Sequence, residues 1–145
     1  LLKLSSDAWL SGFYRKPRCD YDLLRQYSEG ITCLSGCISG KVSRLLIAQR
    51  GMTDSQLDKP YEELCKLHAI FGDHLYAEIM PPRFDEQAFV NQGVVDLARR
   101  LGIATVATSD VHYPRREDAP TQDTLLCIST GARLRQSDRM RMTRA

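Results

Sequence analysis

The feature that most constrains this chain is a switch from helix to strand in its second half. Phe84–Leu101 places Phe89, Val94, Leu97, Ala98 and Leu101 on one side at helical spacing, and Gly102 supplies the stop. Directly behind it, Ala104–Thr108 is short, apolar and rich in Val and Thr, which predicts a buried strand. The same alternation recurs upstream, so the order reads helix, strand, helices, strand, helix, strand, helix. Strands that alternate with helices pair in parallel, which makes this an α/β chain. Three strands are thin for a free-standing α/β domain. They would serve well as part of a larger barrel whose other strands lie upstream.

The remaining elements follow from local signals. Leu1–Phe13 has Leu1, Leu4, Ala8 and Leu10 near helical spacing and ends at Gly12. A basic loop, Tyr14–Asp20, leads to a helix over Tyr21–Ser28, with Asp20 as its cap and Gly30 as its stop. Ile31–Leu34 is a short strand that runs into the tight loop Ser35-Gly36-Cys37-Ile38-Ser39-Gly40. A helix follows over Lys41–Gln49, closed by Gly51. Asp54 or Ser55 starts another helical stretch whose main part is Tyr61–Phe71, with Pro60 in its first turn and Gly72 at its end. His74–Ile79 alternates as a strand, and Met80-Pro81-Pro82-Arg83 breaks it. Glu117–Thr130 is the last helix, ended by Gly131.

Chemistry-bearing residues gather just past strand ends, where α/β sheets and barrels place their ligands. Asp110 and His112 follow the strand Ala104–Thr108, and in extended backbone residues two apart face the same side. Cys37 follows the first strand in an exposed loop. Thiolate, carboxylate and imidazole are three legitimate zinc ligands, although Asp-x-His also occurs as a loop in which His simply bonds backbone. Cys33 lies on the strand and reads as a buried small hydrophobe; Cys33 and Cys37 make a poor zinc knuckle without a second cysteine pair. Glu78, near the end of the second strand, reads as a ligand, a general base or an edge carboxylate. His68 falls inside a helix as a structural residue and His74 at an exposed strand start. Gly36–Val42 resembles a phosphate loop but has the wrong glycine spacing and lacks the Ser or Thr that holds magnesium. Trp9 and the tyrosines show no stacking pattern for single-stranded nucleic acid.

Composition narrows the class. A chain of 145 residues with 43% hydrophobic and 26% charged content fits one ordinary domain with a packed core. A net charge of +2 does not by itself argue for nucleic acid. Five arginines, Arg133, Arg135, Arg139, Arg141 and Arg144, stand against Asp138 alone in the C-terminal stretch, which reads as a solvated basic tail. No apolar run reaches the roughly eighteen residues of a membrane span, and Leu1-Leu2-Lys3-Leu4 lacks the form of a signal peptide. Five scattered cysteines are no disulfide framework and point to a reducing, cytoplasmic setting. The chain reads as a piece of a longer polypeptide.

Several motifs, in this order, carry a resemblance. They are Gly12–Arg18 (Gly-Phe-Tyr-Arg-Lys-Pro-Arg), Tyr27-Ser28-Glu29-Gly30, Leu34–Gly40, Ile70-Phe71-Gly72-Asp73, Ala107–Tyr113 (Ala-Thr-Ser-Asp-Val-His-Tyr) and Asp123–Gly131. Together they resemble the PHP (polymerase and histidinol phosphatase) domain of bacterial replicative DNA polymerase III alpha subunits. The resemblance implies a distorted (β/α)7 barrel of PHP type with a trinuclear metal site. It implies that residues 1–145 are the C-terminal portion of such a domain, with 132–145 leading to the next. Cys37, Asp110 and His112 match three of the family's metal-ligand positions. The implied cofactor is a divalent metal, zinc first, with manganese or magnesium as alternatives. No residue of this chain is expected to act as a catalytic acid or base. The family's His-x-His pair lies upstream of this chain and its polymerase aspartates downstream. Met80–Phe84 departs from the family, whose members carry a more polar stretch with a His there.

The implied parent is a DNA-directed DNA polymerase, with DNA and other replisome subunits as partners and no membrane. The domain would be a metal-dependent 3′–5′ exonuclease, or else a silent structural brace. A stand-alone phosphoesterase of the same superfamily is the other alternative. The fragment alone is expected to be inactive.

Overall fold

The computed structural model describes residues 1–51 and 58–141. They form two compact units, Leu1–Ser109 and Asp110–Ala145.

The first unit runs α1 (Leu2–Leu10), α2 (Tyr21–Gln26), β1 (Cys33–Leu34), α3 (Lys41–Ala48), α4 (Asp58–Phe71), β2 (Leu75–Ile79), α5 (Asp85–Leu101) and β3 (Thr105–Ala107). The expected helix start at Asp54 or Ser55 lies outside the described residues. Asp20 caps α2 as expected, its carboxylate accepting the Leu23 N–H at 2.8 Å. Gly102 ends α5 in the left-handed conformation at φ 79°, which explains why the chain turns there into β3.

The three strands form one parallel sheet in the order β1-β2-β3, with Cys33 opposite Leu75, and Ala77 and Ile79 opposite Thr105 and Ala107. Strand order follows chain order without reversal across these three parallel strands, as in an α/β sheet. The core lies on one face of the central strand. Leu75 and Ala77 pack with Val42 and Leu46 of α3, Leu64 and Phe71 of α4, and Val90, Val94, Leu97 and Ala98 of α5. Strand alternation sends Tyr76 and Glu78 to the opposite face, in register with Leu34 and Val106.

Two expectations need correction. The first strand has two paired residues rather than four, because a ladder extends only where its neighbour does. The run Ala104–Thr108 is not a buried strand: Thr105 and Ala107 are exposed and Val106 is half-buried. It is hydrogen-bonded to a neighbour on one side only, so apolar content does not translate into burial.

The second unit holds a 3-10 turn (Arg116–Asp118) and α6 (Ala119–Thr130), which stops at Gly131 with φ 69°. Among the described residues no helix is long and apolar enough to cross a membrane.

Candidate functional site

At the C-terminal end of the sheet, three side chains tie the strands together. Ser35, just past β1, donates its backbone N–H to the Tyr76 carbonyl at 3.0 Å and accepts the Glu78 N–H on Oγ at 2.9 Å. Thr108, just past β3, donates its N–H to the Ile79 carbonyl at 3.0 Å and its Oγ1 proton to Glu78 Oε1 at 2.6 Å. Glu78 therefore links to both neighbouring strand ends. Because β2 is the central strand, Glu78 is not an edge carboxylate; its observed side-chain partner is the Thr108 hydroxyl. Beyond β2, Asn91 of α5 acts as a surrogate strand. Its amide donates to the Met80 carbonyl at 2.6 Å and its Oδ1 accepts the Met80 N–H at 3.2 Å and Gln87 Nε2 at 2.9 Å.

Cys37 sits half-buried in the loop two residues past Ser35. The loop closes through Gly40 N–H to the Cys37 carbonyl at 2.7 Å. Gly36 takes φ 91°, and a Cβ on Gly40 would stand 2.9 Å from the Cys37 carbonyl oxygen and 3.0 Å from that of Ser35. Both glycines are therefore dictated by the loop that carries the thiol. Cys33 is half-buried rather than fully buried. Burial raises its thiol pKa, and its Sγ donates to the Leu34 carbonyl at 3.6 Å. It lies on the strand as expected, but is not the buried residue that its sequence position suggested.

In the second unit, Asp110 and His112 are both exposed. Asp110 adopts φ 53°, in the left-handed region that non-glycine residues seldom enter, so the backbone is not extended there. His112 Nδ1 lies 2.6 Å from the Asp110 carbonyl oxygen. A carbonyl only accepts, so Nδ1 carries the proton, and in the neutral ring the lone pair is then on Nε2. A metal-binding His presents this tautomer, its other nitrogen donating to a carbonyl or carboxylate. The donor types of Cys37, Asp110 and His112 suit a divalent metal. Among the described residues no group of three or more His, Cys, Asp or Glu side chains stands close enough together to hold one.

Two polar clusters escaped sequence reading. Tyr21 donates its hydroxyl to Glu63, Lys41 Nζ stands 2.6 Å from the Tyr21 oxygen, and Lys41 Nζ pairs with Glu63 Oε2 at 3.0 Å. This buried carboxylate joins α2, α3 and α4. Burial and then the Glu63 bond raise the Tyr21 pKa; the Tyr21 and Glu63 bonds raise that of Lys41. In the second unit, Arg139 clamps Asp123 with two bonds of 2.5 Å and leaves only 5% of its side chain exposed. The arginine-rich stretch is thus not simply a solvated tail at Arg139. The Arg139 bond holds the Asp123 carboxyl below its usual range. A carboxylate sixteen positions from its cation leaves no local sequence signal.

Comparison with known proteins adds a family. Residues 1–82, which include Cys37 and Glu78, match the PHP domain family. The chain is 39% identical over 142 residues, 98% of its length, to a DNA polymerase III subunit alpha of Borreliella burgdorferi. It is 42% identical over 131 residues to that of Treponema pallidum and 38% identical over 141 residues to that of Thermus aquaticus, 90% and 97% of its length. It spans only 12%, 11% and 11% of these relatives.

Proposed function

The chain belongs to the PHP domain family, and from that premise we propose that it is part of a bacterial DNA polymerase III alpha subunit acting in DNA replication. The observation that carries this is the similarity along nearly the whole chain to proteins of that name. In this reading residues 1–145 are the C-terminal portion of a PHP domain built as a distorted (β/α)7 barrel, and 132–145 lead to the next domain. The uninterrupted β1-β2-β3 order fits the barrel. The parent is a DNA-directed DNA polymerase with DNA and other replisome subunits as partners. Five free cysteines fit a reducing cytoplasmic setting.

We further propose that Cys37, Asp110 and His112 supply part of a divalent metal site in the full-length protein, zinc being the metal that suits a thiolate and an imidazole, with manganese or magnesium as alternatives. When bound, such a metal supplies an activated water and neutralises charge on a scissile phosphodiester, the chemistry of a 3′–5′ exonuclease. This chain's own part is to hold. His112 offers Nε2 because Nδ1 is committed to the Asp110 carbonyl, Cys37 must shed its proton to ligate, and Asp110 contributes negative charge.

The test is made on the full-length polypeptide. Cys37→Ala and His112→Ala should each lower bound metal, read by elemental analysis, and slow removal of a mismatched 3′ nucleotide. Full metal content in both variants refutes the site. Lost metal with no cleavage in the parent protein assigns the domain to the structural brace instead.

A further inference from the structure

We propose that the Glu78 side chain is a positioning residue for the loop that carries Asp110 and His112; this rests on the reading that Cys37, Asp110 and His112 hold a divalent metal. The argument starts from where its bonds go. Ser35 and Thr108 are the first residues past β1 and β3. Each is held to β2 twice: once through its own N–H, to Tyr76 and Ile79, and once through its hydroxyl, Ser35 Oγ accepting the Glu78 backbone N–H and Thr108 Oγ1 donating to the Glu78 carboxylate. Cys37 lies two residues beyond Ser35, and Asp110 two residues beyond Thr108. The Glu78 carboxylate thus fixes the last anchored point before Asp110, while the Ser35 tie ahead of Cys37 needs only the backbone of β2.

The chemistry chosen for the tie favours a geometric role. A hydroxyl bonded to a carboxylate is short and strong, as the 2.6 Å separation shows. Glu78 lies on the face opposite the core, so apolar packing does not need a carboxylate at this position. Asp110 holds a left-handed backbone, which a non-glycine residue keeps only where its surroundings over-determine it. Thr108 is the fixed point from which that turn departs.

Partners that orient metal ligands change affinity by about 10- to 100-fold when removed. In the full-length protein, zinc affinity is measured by competition with a chromophoric chelator, and melting temperature is recorded alongside. Glu78→Ala and Thr108→Val should each weaken zinc binding by about 10-fold, the low end of that range, because neither side chain touches a ligand directly. The double variant should be no weaker than either single one, because both remove the same bond. Glu78→Gln, whose amide oxygen still accepts the Thr108 proton, and Thr108→Ser should restore most of the affinity.

The proposal is overturned if Glu78→Ala and Thr108→Val bind zinc as tightly as the unaltered protein, whatever their melting temperatures. It is also overturned if Glu78→Gln loses zinc as Glu78→Ala does, since that marks a ligand. Cys37→Ala and His112→Ala separate the two failures. If these keep zinc affinity, the metal reading falls and takes the proposal with it. If these lose affinity while Glu78→Ala and Thr108→Val keep it, the positioning role alone falls. Should Glu78→Ala fail to fold, Thr108→Val and Thr108→Ser decide the matter.

Discussion

Adding a methyl group at Gly93 should destabilise this chain, and the same change should stabilise it once Leu46 is shortened. Gly93 lies mid-way along α5, facing α3. A Cβ there would stand 3.0 Å from Leu46 Cδ2 and 3.1 Å from Cδ1. Leu46 is 1% exposed and closed in by the core, so it has little room to retreat. Alanine gains about 0.8–1 kcal/mol over glycine in a helix interior. Overpacking costs about 1–3 kcal/mol, so Gly93→Ala alone should destabilise by about 1 kcal/mol. Leu46→Ala alone should cost about 2.7–5 kcal/mol by transfer and cavity. In that background the obstructing Cδ atoms are gone. Gly93→Ala then keeps its helix gain and buries a methyl group worth about 0.8 kcal/mol, a net stabilisation of about 1–2 kcal/mol. The coupling in the four-protein cycle is therefore about 2–3 kcal/mol. Urea denaturation of the 145-residue chain followed by circular dichroism measures it. An effect of Gly93→Ala with the same sign and size in both backgrounds would refute the packing argument.

Two further outcomes follow from backbone crowding and charge. Gly40→Ala should open the Cys37 loop, because the new Cβ meets two carbonyl oxygens rather than a flexible side chain. Faster alkylation of Cys37 by a thiol reagent reports this, and an unchanged rate counts against it. The Arg139–Asp123 clamp should stabilise the 133–141 segment above the ordinary carboxylate pKa of about 3.9. Asp123 is held below that value in the folded state, so the contribution is lost as pH falls through the lowered folded value. Protection factors of the 133–141 amides, taken relative to the intrinsic exchange rate at each pH, should fall on acidification in the unaltered protein and change less in Asp123→Asn; equal pH dependence in both refutes the clamp.

Helix ends were legible because their causes are local. Asp20 caps by accepting a backbone N–H three residues on, and Gly102 and Gly131 each stop a helix in the left-handed region only glycine enters freely. Parallel pairing was legible too, because helices between strands leave no other route. Burial of Ala104–Thr108 was not, since it depends on how many neighbours flank the strand, and pairing partners lie far along the chain. The phase of α5 was only partly legible: Val90 and Gln87 are buried while Phe89 is half-buried at the edge of the core. The Arg139 clamp was invisible for the same reason as the strand edge, its partner being set by tertiary structure.

The rim of the sheet shows why donors are easier to read than their supports. Cys37, Asp110 and His112 stand out because few residue types bind metals and because strand ends are where α/β chains do chemistry. Ser35 and Thr108 do not, since small hydroxyl residues serve equally in turns, caps and surfaces. What distinguishes them is a shared position, each two residues before a candidate ligand, and that pattern gains meaning only when both hydroxyls reach the same residue on the central strand. Glu78 shows the converse. Its type suggested a ligand or a base as readily as an edge, and its bond from the Thr108 hydroxyl supplies a reason for a carboxylate at that position. A support of this kind is recognisable in sequence only as a pair, with a hydroxyl just past one strand and an acceptor near the end of the strand beside it.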